Sequence, residues 1–179
     1  MKREKTYQQN MGTALQEHMP AIWRFAFSLA GTPDVADDLA QATCLRAIEK
    51  SHQFQEGGAL IGWCLTICRS IWLNELRSKA VRNAGGLESI EAKDLADLSP
   101  SVETNIFASE VFTRIMELPE AQRSTVEMVY VQGFSYKEAA ETLQVPIGTI
   151  MSRLATARKA LADLNNEEFI SSKVVKNEI

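Results

Sequence analysis

The sequence predicts an all-α protein built as two small helical domains joined by a flexible linker. Apolar residues recur at helical spacing almost throughout, and no stretch sustains the period-2 alternation of a half-buried strand. Between Val81 and Thr104 that periodicity fades while Gly, Ser, Asp and Pro100 accumulate, the composition of a boundary between folded units. A chain of 179 residues could form one ordinary domain or two small ones, so the fading supplies the division. The expected units are residues 12–82 and 104–164, with a linker over 83–103 and a tail over 165–179.

The first helix is expected over Leu15 to Leu29, with Leu15, Ile22, Phe25, Ala26 and Leu29 inward and Gly31 closing it. Thr32-Pro33-Asp34 then starts a second helix, to about Ser51. It offers a hydroxyl cap, proline at the first helical position, and acids in the first turn, where the helix dipole favours them. At about 100° per residue this helix has two faces. Val35, Leu39, Ala42 and Thr43 share one; Asp34, Asp37, Asp38, Gln41, Leu45 and Ile48 share the other. The second face reads either as a solvated surface with Leu45 and Ile48 tucked under a neighbour, or as a partner-binding surface.

Gln53 to Gly58 reads as a loop broken by Gly57-Gly58. A long helix follows from Ala59 to about Lys79, with Leu60, Cys64, Ile67, Cys68, Ile71 and Trp72 on its buried side. Its other face carries Trp63, Thr66, Ser70, Asn74 and Arg77, with Arg69 at the margin. These groups stack on bases, donate to base edges or pair with phosphate, although each alone is more often structural. After the linker, Phe107, Val111 and Ile115 recur every four residues until Leu118-Pro119, and another helix is expected from Pro119 to Gln132, stopped by Gly133. The tail beyond about Asn166 is polar and expected to fray.

Ser135 to Leu161 is the most specific segment. Ser135-Tyr136-Lys137-Glu138 is a capping box, in which serine and glutamate satisfy free amides at a helix start. Ala139, Ala140 and Leu143 give this helix a small apolar side that a second helix can cross closely. Gln144-Val145 leads by a short turn to Pro146 and another helix with inner face Ile147, Ile150, Leu154, Ala157 and Leu161. Short helix, tight turn and longer basic helix make the helix-turn-helix pattern; a purely structural helical hairpin is the alternative. As a DNA reader, its second helix would present Met151, Ser152, Ala155, Thr156 and Lys159 to the major groove, flanked by Arg153 and Arg158.

Composition fits a folded, water-soluble chain: 45% hydrophobic and 23% charged, with mean hydropathy −0.15. No apolar run approaches the roughly 18 residues of a membrane helix, and Met1-Lys2-Arg3-Glu4-Lys5 leads into polar residues, so a cytoplasmic protein without membrane insertion is expected. The net charge of −4 argues at first against nucleic acid, but its distribution reverses that impression. Arg69, Arg77, Lys79 and Arg82 face only Glu75 within 66–83, and Arg153, Arg158 and Lys159 face only Asp163 within 146–164. The acids gather between them, at Glu88, Glu91, Asp94, Asp97, Glu103 and Glu110. Cys44, Cys64 and Cys68 lie in apolar helical patterns, read as buried small hydrophobes; Cys64 and Cys68 are spaced as a metal pair could be, but no nearby histidine or acid completes a set. With no phosphate loop and no nucleophile, base and acid combination, neither an enzyme, a cofactor nor a small-molecule substrate is expected.

Three stretches carry a resemblance to the extracytoplasmic-function (ECF) sigma factors of the sigma-70 superfamily, and it extends over nearly all of residues 12–164. Leu118-Pro119-Glu120-Ala121-Gln122-Arg123, Gly133 through Ala140 and Pro146 through Leu154 are similar to that family's fourth conserved region. Asp37 through Ala47 looks like its second region, and Trp63-Cys64-Leu65-Thr66-Ile67 like its promoter-melting segment. The resemblance implies a sigma region 2 helical bundle followed by a region 4 helix-turn-helix, in a stress-responsive factor that binds core RNA polymerase and promoter DNA under an anti-sigma factor. Asp34, Asp37, Asp38, Gln41, Leu45 and Ile48 would meet the basic clamp helices of the polymerase. Phe54, Gln55 and Leu60 would line a pocket for a base flipped out of the minus-10 element, with Trp63, Thr66, Arg69, Asn74 and Arg77 nearby; such capture offsets the few kcal/mol of unstacking. Lys137, Thr149, Met151, Ser152, Arg153, Thr156, Arg158 and Lys159 would contact the minus-35 duplex.

This chain departs from the family where Met151 and Thr156 stand in place of frequent basic residues, removing two phosphate or guanine donors. Met151 also resembles the general-stress subgroup. The same departure motivates a second reading, a sigma-like decoy that sequesters an anti-sigma factor without binding DNA. A simple helix-turn-helix repressor would leave the N-terminal half without a role.

Overall fold

A computed structural model describes residues 2–55, 57–84 and 112–175, and every regular element among them is helical. The expected linker therefore lies outside the described residues except for 83 and 84, as do Phe107 and Val111. Helix α1 spans Lys2–Ala30, beginning well before the expected Leu15. Leu15, Ile22, Phe25, Ala26 and Leu29 are buried along one side, as their spacing predicts. Gly31 ends the helix: its φ of +80° suits glycine, and its N–H donates to the Phe27 carbonyl at 2.8 Å.

Helix α2, Pro33–Glu49, has proline in its first turn, but the expected hydroxyl cap is absent. Thr32 takes the extended conformation of a capping residue and contributes only its carbonyl, to Ala36 N–H at 3.0 Å. The buried stripe is Ala36, Leu39, Ala40, Thr43 and Ala47, with Val35 and Ala42 only half-buried. Small residues dominate because α2 packs between α1 and α3, where larger ones would hold the helices apart. The buried Thr43 hydroxyl is satisfied by the Leu39 carbonyl at 2.7 Å.

A 3-10 turn at Ser51–Gln53 leads through Phe54 to helix α3, Leu60–Ala84. Cys64, Leu65, Cys68 and Trp72 are buried, while Leu60, Ile67 and Ile71 are half-buried. Leu65 lies one turn before Arg69, on a side that periodicity alone did not assign inward.

In the C-terminal half, helical residues 112–117 (α4) stop at Leu118-Pro119. Instead of one α-helix to Gln132, α5 covers Glu120–Val126 and widens into a π turn at Glu127–Val131, closed by Gln132 N–H on the Glu127 carbonyl at 3.0 Å. Helix α6 is Tyr136–Leu143 and α7 is Ile147–Val175, so the tail expected to fray beyond Asn166 continues as helix. The two halves meet along α1 with α5 and α3 with α6, and their buried side chains form one continuous cluster. An aromatic stack crosses the junction, Trp23 on Phe27 at 5.2 Å and Phe27 on Phe112 at 5.8 Å between ring centres.

Candidate nucleic-acid interface

The helix-turn-helix is assembled by local chemistry. Ser135 accepts from Glu138 N–H at 3.2 Å, and Glu138 accepts from Ser135 N–H at 2.8 Å, which is the reciprocal capping box. The Ser135 hydroxyl also donates to the Glu138 carboxylate at 2.6 Å, and this bond, with the one from Ser135 N–H, holds that carboxyl below the ordinary carboxylate value. Gln144 ends α6 in the left-handed region at φ 51°, turning the chain toward Pro146. Ile150, Leu154 and Ala157 are fully buried against α5 and α6, and Ala139, Ala140, Thr142 and Leu143 close the other side. Ile147 departs from the expected inner face: it is 46% exposed, whereas Ile150, three residues on, is fully buried.

The opposite face of α7 is open. Met151 is 54% exposed, and Ser152, Ala155, Thr156, Arg158 and Lys159 are exposed beside it, with Lys137 exposed on α6. Thr149 and Arg153 are half-buried. A groove of about 550 Å³ runs between Tyr136 on α6 and Gly148, Met151, Ser152, Ala155 and Arg158 on α7. Ser152 donates to the Thr149 carbonyl at 3.0 Å, which holds its hydroxyl along the helix.

On α2, Asp34, Asp37, Asp38, Gln41 and Leu45 are exposed, Leu45 at 60%, while Ile48 is half-buried against the core. Asp37 accepts from the Trp23 indole at 2.5 Å, so α1 orients this carboxylate. A groove of about 620 Å³ between α2 and α3 has Asp38, Arg46 and Lys50 on one wall and Asn74, Lys79 and Arg82 on the other. It brings one of the α2 acids onto the same concavity as the basic end of α3.

The α3 candidates divide. Phe54 and Trp63 pack together, ring centres 5.3 Å apart and tilted by 48°, so both are half-buried. Gly58 lets the preceding loop close tightly, since a Cβ there would stand 3.2 Å from the Gln55 carbonyl. Gln55 is exposed and Leu60 half-buried. Thr66 donates to the Gly62 carbonyl at 2.9 Å, and Arg77 to the Asn74 side chain at 3.0 Å with both exposed. Arg69 is directed at the other half, where its Nε–H donates to the Leu143 carbonyl at 3.0 Å. Burial lowers its pKa below the ordinary guanidinium value; nearby Glu120 opposes that shift and Arg153 adds to it.

Sequence reasoning missed the residues that join the halves. Arg123 was read as part of a motif, but periodicity gives no sign of its partners. It donates to the carbonyls of Ser28 at 2.5 Å, Leu29 at 3.3 Å, Met116 at 2.9 Å and Leu118 at 3.2 Å. Gln132 reaches the Ala21 carbonyl at 3.1 Å. Among the described residues, no group of three or more His, Cys, Asp or Glu is placed to hold a metal, and no helix is long and apolar enough to cross a membrane.

Comparison with known proteins agrees with this geometry. Residues 14–82 match the family model for sigma-70 region 2, and residues 109–161 that for sigma-70 region 4. An ECF RNA polymerase sigma factor, EcfG, of Rhodopseudomonas palustris is 35% identical over 146 residues, covering 82% of this chain and 80% of that protein. The ECF sigma factor SigC of Mycobacterium tuberculosis is 32% identical over 163 residues, covering 84% and 82%. Among solved structures, the sigma factor RpoE in complex with the anti-sigma factor NepR from Bartonella quintana superposes with a TM-score of 0.70 at 29% identity, over 88% of this chain and 98% of that one. CnrH in complex with the cytosolic domain of CnrY shares the fold, with a TM-score of 0.61 over 89% and 90% at 20% identity.

Proposed function

Because this chain belongs to the ECF RNA polymerase sigma factors, we propose that it docks on core RNA polymerase through the acidic and apolar face of α2 and holds a promoter at two points. Asp34, Asp37, Asp38, Gln41 and Leu45 present carboxylates, an amide and an apolar side chain to a basic partner surface, with Ile48 beneath. The Phe54, Gln55, Leu60 and Trp63 corner receives an unstacked minus-10 base, while Thr66, Arg69, Asn74 and Arg77 hold its strand. The hairpin reads the minus-35 duplex through Met151, Ser152, Thr156 and Lys159, with Lys137, Thr149, Arg153 and Arg158 toward the backbone. The protein performs no chemistry of its own; the polymerase makes the RNA.

The observation that carries this reading is the open face of α7 above fully buried Ile150, Leu154 and Ala157: the hairpin spends its apolar side on folding and leaves its other side for a ligand. Superposition on a sigma factor in complex with an anti-sigma factor supports control of this chain by such a partner. Run-off transcription with core enzyme on promoters of the source genome tests it. Initiation that depends on this chain is the expected result; none from any promoter refutes it.

A decoy that occupies an anti-sigma factor is favoured by one observation, the exposed and uncharged Met151 and Thr156 where basic groups would strengthen DNA binding. Capture of core polymerase by the tagged chain separates the two, because a decoy has no use for the α2 face.

A further inference from the structure

We propose that the groove between α6 and α7 is a methyl-reading slot: Met151 and Ala155, faced by Tyr136, take the 5-methyl groups of thymines in the major groove of the minus-35 duplex. The hairpin then selects its site by the position of thymines where a helix with basic residues at these places would select guanine. This deepens the assignment of α7 to minus-35 DNA and rests on it.

The hydrogen-bonding capacity of the slot decides what it can read. In the major groove guanine offers two acceptors, N7 and O6, which a bidentate donor matches, whereas thymine adds a methyl group that no other base carries there. Gly148, Met151 and Ala155 have no side-chain donor at all. Ser152 gives its hydroxyl hydrogen to the Thr149 carbonyl at 3.0 Å and is left with acceptor lone pairs. Arg158 is bonded through Nε–H to the Leu154 carbonyl at 3.4 Å, which draws its guanidinium back along the helix and leaves its terminal nitrogens for a phosphate at the rim. Tyr136 and Thr156 each have a single hydroxyl hydrogen, so neither is the bidentate partner that guanine needs.

The shape of the slot points the same way. Met151 is 54% exposed and Tyr136 39%, so apolar surface lines a groove that stands open. A Cβ built on Gly148 would meet nothing within 4 Å, which leaves the mouth clear for a base substituent. Beneath it Ile150, Leu154 and Ala157 are fully buried and fix the helix in place. The thioether of Met151 is unbranched and adapts to the position of a methyl. Exposed Lys137, Arg158 and Lys159 surround this apolar centre, a cationic rim that suits a polyanionic duplex better than an apolar protein.

Holoenzyme reconstituted from core polymerase and the full chain is used to select from a random-sequence duplex library, and the enriched duplex is the probe. Thymines on either strand of its upstream element are replaced one at a time by deoxyuracil, which removes the methyl and keeps every hydrogen-bonding group. Loss of at least one methyl should weaken wild-type binding about fourfold, the effect of uncovering one methyl-sized apolar group. Holoenzyme with Met151→Ala, checked by circular dichroism for retained helix, should bind the thymine duplex more weakly and lose most of that sensitivity. Met151→Leu, which restores an apolar side chain, should regain it. Unchanged wild-type affinity after removal of every upstream methyl overturns the proposal. So does a penalty as large in Met151→Ala as in wild type, or an enriched upstream element without thymine. Any of these with a duplex enriched refutes the slot alone, whereas failure to enrich an upstream element refutes the assignment of α7 beneath it.

Discussion

Arg24 on α1 and Glu127 on the π turn form an ion pair of 3.4 Å that joins the two halves, and the carboxylate partner is almost wholly buried. Burial pushes the Glu127 pKa up, while the Gln132 and Arg24 contacts pull it back without cancelling the rise. The folded protein therefore holds this proton more tightly than the unfolded chain. That contribution to stability is complete below the unfolded carboxylate value and is lost as pH rises through the folded one. Thermal melts between pH 4 and pH 7 should show the stability of wild type relative to Glu127→Gln falling as pH rises; a difference independent of pH would contradict this.

Leu154 is fully buried beneath the helix-turn-helix, so Leu154→Ala should cost about 2–5 kcal/mol in urea denaturation. Exposed Thr156→Ala, half a turn away, should stay within about 0.5 kcal/mol.

Met151 is exposed at the centre of the proposed reading face. Replacing it with arginine supplies one of the donors this chain lacks. Binding to a minus-35 duplex, measured over a salt series, should tighten and steepen by about one unit in the log–log slope. An unchanged slope would mean that α7 does not approach the phosphates there.

Leu45→Asp tests the α2 face. With that side chain 60% exposed, stability should change by no more than about 0.5 kcal/mol, while capture of core polymerase should be lost. Retained capture would move the docking surface elsewhere.

The three thiols are free, and burial pushes Cys64 and Cys68 up to about 12 and Cys44 upward from its ordinary value. Because the thiolate is the reactive form, a disulfide reagent at pH 8 should modify at most Cys44 in the native protein and all three cysteines after guanidinium unfolding. Rapid native modification of Cys64 or Cys68 would show that the α2–α3 contact opens readily.

The elements that spacing and capping govern were legible in the sequence. The buried side of α1, the Ser135–Glu138 box and the turn into α7 all follow from residues close together in the chain. The alanine stripe of α2 was harder, because small residues at a close helix crossing carry little hydrophobic signal. Arg123, Gln132 and Trp23 could not have been assigned at all, since their partners lie on distant segments and two of them bond to backbone carbonyls that no side-chain pattern records. At the helix-turn-helix, the exposure of Met151, Ser152, Thr156, Arg158 and Lys159 follows from their spacing, whereas the engagement of Arg69 by Leu143 needed the tertiary fold.

The wide turn at Glu127–Val131 sets the angular phase of everything after it. Five residues of π geometry turn the chain about as far as four of α geometry, so the turn absorbs one extra residue while the hairpin keeps nearly the same rotation about the axis of α5. Loss of one residue there is accordingly expected to leave Gln132 turned toward Ala21, a tolerance that a regular helix at this place would lack.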